Sequence, residues 1–478
     1  MTTPYWVAGR PRTGTDVLEV RSPYDGALAG RTTTATLEDV EAAVAGAAGA
    51  RAACAATPAH VRAAALDHVS RRLAERAEEV AALITAESGK PLKWARLEVA
   101  RAVSTFRWGA EEARRWSGTL QRLDTDPAAT GRMALVRRAP RGPVLGIAPF
   151  NFPLNLVAHK VAPAIAVGAP IVLKPAPATP MTALLLGEIL AETDLPAGCW
   201  SVLPLSNDVA AQLVRDPRLP VVSFTGSVPV GWSIRESAPR KHVTLELGGN
   251  AAVVVGPDQG DEGSLAWAAS RIATFAMYQA GQSCISVQRV FIHRDVAEAL
   301  TERVVEAVQK LVTGDPTDDA TDVGPLIDEQ AACRVESWVE EAVVAGGRVL
   351  TGGTRDGAAY APTVLTDVPA EAKVSCEEVF GPVVVLDPVD SVDEAFTRVN
   401  DSRFGLQAGV FTRDLQLAFR AARELEVGGV VIGDVPSFRA DQMPYGGVKD
   451  SGTGREGVCA AMEDLTEERV LVLTGVDV

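Results

Sequence analysis

Cys284 is the residue of this chain best placed for chemistry. Tyr278-Gln279-Ala280-Gly281 reads as a helix losing its regularity, and Gly281-Gln282-Ser283-Cys284 sets a thiol in a turn of small polar residues. A thiol there can be exposed and deprotonated, as a cysteine nucleophile must be. The competing reading is a buried cysteine used as a small hydrophobe. Other segments bring suitable company. Pro149-Phe150-Asn151-Phe152-Pro153 holds an amide between two prolines, able to stabilise an oxyanion or to close an Asx turn. Lys174 can reach ribose hydroxyls or phosphate, or simply be solvated. Phe224-Thr225-Gly226-Ser227, with Gly231 beyond, ends a strand and opens a helix whose free N–H groups suit phosphate, although the three-glycine dinucleotide fingerprint is absent. In Leu245-Glu246-Leu247-Gly248-Gly249 one carboxylate stands between leucines. Desolvation there raises its pKa and suits a general base, while a solvent-facing strand position gives the same pattern.

Apolar spacing supplies the scaffold. Short apolar segments at 144–148, 171–173, 201–203 and 221–224 alternate with helical stretches at 156–167, 182–193 and 209–216. That alternation predicts parallel βαβ units, hence an α/β sheet, with ligands beyond the carboxyl ends of its strands. A second α/β run begins at 251 and continues to 398. Upstream, 37–51, 58–88 and 95–116 read as helices and 17–22 as a strand before a turn at 23–26. Residues 118–131 read as irregular, 133–136 as a strand stopped by the Arg- and Pro-rich run 137–143, and 467–473 as a terminal strand.

Composition narrows the function classes. At 478 residues, two or three domains are expected. A net charge of −15 opposes nucleic acid and offers no basic face to a membrane, so an anionic ligand must be held by local groups. No secretory leader is read, and the longest apolar runs, such as 161–172, are too short and too broken to span a bilayer. Six scattered cysteines and five histidines suggest neither disulfides nor a metal site, so a cytoplasmic protein is expected.

In order, Pro149–Pro153, Lys174-Pro175, Phe224–Ser227, Leu245–Asn250 and Gly281–Cys284 resemble the motif series of the aldehyde dehydrogenase superfamily. Glu377-Glu378-Val379-Phe380-Gly381-Pro382 and Tyr445-Gly446-Gly447-Val448-Lys449 complete it, so the resemblance spans nearly the whole chain. It implies that Cys284 attacks an aldehyde, that Asn151 and the Cys284 N–H hold the oxyanion, and that Glu246 activates water to hydrolyse the thioester. For the cofactor, NAD or NADP, it implies Lys174 at the adenosine ribose and Phe224, Gly226 and Ser227 near the pyrophosphate. Glu378 and Phe380 would position the nicotinamide ribose and ring, with Ala148, Pro149, Phe150, Ala176, Pro177, Val230 and Gly248 as further contacts. The implied fold is a Rossmann-type cofactor domain (1–119 and 141–246) with a second α/β catalytic domain (247–440). A return segment (441–463) and a small β oligomerisation flap (120–140 with 464–478) complete it, in a homodimer or homotetramer.

Departures from the pattern carry information. Many NAD-preferring members have a glutamate three residues after the lysine; here Pro177 removes its repulsion of a 2′-phosphate, which makes NADP plausible. The 38 residues from Glu246 to Cys284 are a few more than expected, the excess falling at 256–263. The segment 435–441 resembles that of subfamilies acting on small polar or anionic aldehydes. Arg439 can pair with a substrate carboxylate or sulfonate, or with Asp441. Ser283, where phosphate-binding subfamilies often carry arginine, disfavours phosphorylated substrates. Phe152, Trp108 and Trp116 could line an apolar tunnel or belong to the core. The rival readings are a CoA-acylating relative, which commonly lacks the glutamate, and a catalytically silent relative. A cysteine hydrolase would need a histidine, and His159 and His242 both read as structural.

Overall fold

The computed structural model describes residues 2–475. The strand Val144–Ile147 lies in the middle of an eight-stranded sheet. The chain adds Ile171–Lys174 and then Trp200–Val202 on one side of it, crosses back, and adds Val221–Thr225 and His242–Glu246 on the other, all parallel. This reversal opens a crevice beyond the carboxyl end of Val144–Ile147, where the Pro149–Pro153 turn emerges. Helices cover the sheet, and every residue of Val144–Ile147, Ile171–Lys174 and Val221–Thr225 is buried, hence their unbroken apolar runs. Short antiparallel strands, Tyr5–Val7 with Arg10–Arg12 and Gly452–Thr453, finish the two edges.

The helices Leu37–Ala56, Ala59–Glu75, Ala77–Ser88 and Leu92–Arg115 form much of that cover. The single helix expected over 58–88 is two, turned at Arg76 (φ −104°, ψ 21°). Two buried carboxylates from this layer satisfy helix starts that lack local caps. Glu87 accepts the N–H groups of Met181 at 2.7 Å and Thr182 at 3.1 Å, at the start of Met181–Leu190. Glu98 does the same for Leu154 at 2.9 Å and Asn155 at 3.0 Å, at the start of Asn155–Val167.

A second sheet, of seven strands, repeats the plan around Ala252–Val255. Arg289–His293, Val383–Val389 and Thr363–Thr366 extend it in parallel on one side, Gln407–Phe411 and Gly429–Ile432 on the other, and Arg348–Thr351 is an antiparallel edge. Alternate residues of the central strand feed two cores: Val253 and Val255 on one face, Ala252 and Val254 on the other.

Thr466–Thr474, Arg132–Pro140 and Thr119–Arg122 make a separate antiparallel sheet. Two expectations fail here. Residues 119–122 are a strand within the stretch read as irregular, and the strand expected over 133–136 runs on through the Arg- and Pro-rich segment to Pro140. Pairing with the terminal strand outweighs the local signals: Arg138 Nε donates to Thr466 Oγ1 at 2.8 Å, and Pro140 sits at the last register position, opposite Thr466. The last three residues of the segment 464–478 lie outside the described residues. No described helix is long and apolar enough to cross a membrane.

Candidate active site

A cleft of about 610 Å³ occupies the crevice at the head of the first sheet. Ala148, Pro149, Phe150 and Asn151 enter it from the turn after the central strand, and Lys174, Ala176 and Pro177 from the neighbouring strand end. Phe224, Gly226, Ser227 and Val230 line it at the start of the helix Val228–Ser237, and Glu246 and Gly248 at the end of His242–Glu246. Cys284, Glu378 and Phe380 reach it from the second α/β unit. Arg334, on the helix Glu329–Val344, and Asn207, at the start of Asn207–Arg215, also line the cleft, and sequence reasoning missed both. A lone arginine on an amphipathic helix carries no signal, and the other helix, expected from 209, starts two residues earlier at Asn207.

The turn carrying Cys284 is laced to the turn carrying Asn151. Gln279 (φ 52°), Ala280 (φ 54°) and Gly281 (φ 70°) are successively left-handed, which reverses the chain at the end of the helix Glu262–Met277. A side chain at Gly281 would lie 1.9 Å from the Gly381 carbonyl oxygen, so glycine is required there. The Gln279 amide donates to the Asn151 carbonyl, and Asn151 Nδ2 donates to the Gln282 carbonyl at 3.0 Å. An amide NH₂ has two hydrogens, so one Asn151 N–H stays free in the cleft that Cys284 also lines. The Cys284 N–H, too, donates to no backbone carbonyl among the described residues.

The thiol itself corrects one expectation. Cys284 is partly buried, not exposed, and burial pushes its pKa up to about 12, with Glu378 and Glu246 adding to the rise. The resting group is therefore a protonated thiol. Glu246 is buried rather than solvent-facing, and neither carboxylate oxygen has a hydrogen-bond partner. Burial, then the nearby Glu456 charge, raises its pKa well above the usual range, against Arg439, Lys160 and Arg455. A carboxyl raised in this way binds a proton more readily than an ordinary one, as a general base needs. Gly446 makes room for it, since a Cβ there would lie 2.8 Å from Glu246 Oε1.

Behind Glu246 lies a buried charge array. Glu456 accepts from Lys160 Nζ at 3.3 Å, Thr225 Oγ1 at 3.2 Å and Arg439 Nη2 at 3.1 Å. Asp441 is not the partner of Arg439. It bonds instead to Arg101 at 2.9 Å and His159 at 3.1 Å, which anchors its loop to the helices beneath. Arg439 Nε is left without a partner. Phe152 stands apart from the cleft, packed with Leu156 and Tyr278. Trp108 and Trp116 pack against the core of the first sheet.

Residues 6–471 match the aldehyde dehydrogenase family over almost the entire sequence. The chain belongs to the aldehyde dehydrogenase family. It is 43% identical over 469 residues to a 3-sulfolactaldehyde dehydrogenase of Priestia aryabhattai, covering 98% of this chain and 97% of that protein. Its structure is similar to that of aldehyde dehydrogenase 21 from Physcomitrella patens in complex with the reaction product succinate, with TM-score 0.97, 45% identity and coverage of 99% and 98% of the two chains. It is also similar to the NADP-dependent glyceraldehyde-3-phosphate dehydrogenase of Bacillus halodurans complexed with NADP, with TM-score 0.95, 34% identity and coverage of 100% of each chain. This aldehyde dehydrogenase has the fold expected of its family, and the chain is an NAD(P)-dependent oxidoreductase acting on aldehydes.

A dinucleotide fits the groups in the cleft. Lys174 is buried with no ion-pair partner among the described residues, and desolvation lowers its pKa to about 8. Ser227 caps the helix Val228–Ser237 without a side-chain bond, which leaves the N–H groups of that helix start, other than at Pro229, available to a phosphate beside Ser227 and Val230 in the cleft wall. Glu378, held by the Gly249 N–H at 3.2 Å and pushed up to about 7 by burial, offers a carboxyl for hydroxyl groups. Gly248 is needed for this approach, because a Cβ there would lie 2.1 Å from Glu378 Oε2.

Proposed function

We propose that Cys284, Asn151 and Glu246 carry the oxidation. The observation that carries this reading is that a thiol, a free amide N–H and an unbonded buried carboxyl line the same cleft. The Cys284 thiol gives up its proton to solvent water in the cleft, and the sulfur attacks the aldehyde carbon to give a thiohemiacetal. The free Asn151 N–H and the Cys284 backbone N–H hold its oxyanion. A bound dinucleotide supplies the hydride acceptor, which leaves a thioester on Cys284. Glu246 then deprotonates the water that releases the acid. Lys174 would hold the adenosine ribose, Phe224, Gly226 and Ser227 the pyrophosphate, and Glu378 and Phe380 the nicotinamide end. Pro177, in place of a carboxylate, favours NADP.

The substrate of this reading is a small aldehyde with a carboxylate or sulfonate. Arg439, stacked on the Tyr445 ring whose hydroxyl meets the Cys284 sulfur and with a free Nε, is the group proposed to meet it, and the sulfonated substrate and dicarboxylate product named for the two similar proteins support this. The reading keeps a cofactor domain at 1–119 and 141–246 and a catalytic domain at 247–440. It also keeps a cytoplasmic homo-oligomer joined through the small sheet, whose Val470, Leu471 and Val472 are 61%, 56% and 50% exposed. The test is reduced-cofactor absorbance with neutral and anionic aldehydes, NAD and NADP, without CoA. Turnover lost in Cys284→Ala, and anionic aldehydes losing most in KM in Arg439→Met, are expected. Turnover surviving Cys284→Ala, or requiring CoA, overturns the proposal.

A further inference from the structure

The segment Tyr445-Gly446-Gly447 belongs to the motif series, yet the reaction outlined above gives Tyr445 no task. Its phenol oxygen lies 3.0 Å from Cys284 Sγ. The ring is buried against Ile285 and Leu406. Its backbone is pinned to Glu456 by two hydrogen bonds, N–H to carbonyl at 3.0 Å and the reverse at 2.7 Å. On the ring lies the Arg439 guanidinium, 3.9 Å from the centroid. A side chain so fixed is not there to fill space alone.

We infer that Tyr445 is a further catalytic residue, whose hydroxyl donates to the Cys284 sulfur and stabilises the thiolate, with Arg439 on its ring strengthening that donation. This rests on the reading of Cys284 as the nucleophile. The charged and titratable groups around the sulfur are Tyr445, Arg439, Glu246 and Glu378. Both carboxyls oppose ionisation of the thiol; the Tyr445 hydrogen bond and the Arg439 charge are what favour it. Burial raises the phenol's own pKa well above its ordinary value, so it remains a neutral donor. A cation on the face of a phenol draws electron density from the ring and makes its O–H a better donor. When the thiol proton leaves to solvent water, the sulfur becomes a charged acceptor and the bond from Tyr445 strengthens. The sulfur lone pair then forms the C–S bond, the carbonyl π pair moves to oxygen, and the hydrogen bond weakens as the sulfur loses its charge.

The test is the pH profile of Cys284 alkylation by iodoacetamide, read on the Cys284 peptide by mass spectrometry, in the cofactor-free enzyme and in Tyr445→Phe. The phenylalanine keeps the ring and its contact with Arg439. The expected result is a midpoint raised by about 1–2 pH units, the worth of a hydrogen bond to a charged group, read on the limb below it as an alkylation rate lowered roughly 10- to 100-fold at each pH. Near neutral pH, kcat/KM falls roughly 10- to 100-fold and recovers toward alkaline pH. An unchanged midpoint overturns the inference, whether activity is unchanged or only KM rises, since Tyr445 would then be at most a substrate contact. Should Tyr445→Phe fail to fold, Arg439→Lys keeps a charge for Glu456 but not the planar stacking; it is expected to raise the midpoint by a smaller amount, and no rise overturns the inference. An unchanged midpoint with Cys284→Ala inactive sinks this inference alone, whereas activity in Cys284→Ala sinks the reading beneath it.

Discussion

Replacing Lys90 by methionine tests whether the site is held from behind by a buried ion pair. Lys90 and Glu98 side chains are both 0% exposed, with ammonium and carboxylate in contact. The other Glu98 oxygen takes the N–H groups of Leu154 and Asn155, which fixes where the chain leaves the Pro149–Pro153 turn and so where Asn151 stands. Lys90 Nζ also lies 4.1 Å from the Phe152 ring centroid. Lys90→Met strands a buried carboxylate, and removing one partner of such a pair costs about 3–5 kcal/mol. The thioether against the Phe152 ring returns up to roughly 1 kcal/mol, for a net loss of about 3 kcal/mol. Adding Glu98→Gln removes the stranded charge while its carbonyl still accepts both N–H groups, so the double variant recovers about 1–2 kcal/mol. The assay is urea unfolding of the single and double variants, with kcat measured alongside. A Lys90→Met variant within about 0.5 kcal/mol of wild type, the size of an ordinary surface change, would refute the reasoning. So would a double variant less stable than Lys90→Met.

Three other outcomes follow from the same geometry. Glu246 must be deprotonated to activate water, and its pKa is raised. Turnover limited by thioester hydrolysis therefore climbs with pH through that pKa, and Glu246→Gln flattens the pH profile and lowers kcat about 10²–10⁴-fold. Burial alone would raise the pKa of Glu456, but Lys160 and Arg439 hold it near 2, below the ordinary 4.5. Its folded pKa is depressed, so its contribution, about 3 kcal/mol, is present above the ordinary value and lost as pH falls toward 2. Urea midpoints across the acid range should fall for wild type and less steeply for Glu456→Gln. Pro177→Glu sets a carboxylate where the 2′-phosphate of NADP is proposed to lie; a rise in the NADP KM of about tenfold or more, with NAD little changed, is expected in initial-rate assays.

Sequence spacing reached the α/β framework because its strands are buried on both faces and leave apolar runs bounded by turns. It missed Tyr5–Val7, Arg10–Arg12, Thr363–Thr366 and Gly429–Ile432, short edge or late strands whose pairing is decided by distant partners. It stopped the flap strand at the arginines before Pro140 because cross-strand pairing with the terminal strand leaves no local mark. In the site, the types and order of Asn151, Glu246 and Cys284 were legible as motif residues, while the flanking leucines of Glu246 left burial and solvent exposure both open. Electrostatic partners were not. Nothing in the order of residues says that Arg439 meets Glu456 rather than the nearer Asp441, or that the Cys284 thiol is buried against Tyr445. Those contacts join segments far apart in the chain, and only the folded turns bring them together.

The most direct measurement is the mass of the Cys284 peptide from Glu246→Gln, quenched after one turnover with NADP and a carboxylated aldehyde. The account predicts that this peptide carries the acyl group of the substrate as a thioester, because the thiol still attacks while the water is no longer activated. Aldehyde oxidised with Cys284 unmodified, or the acyl group found on another cysteine, would contradict it.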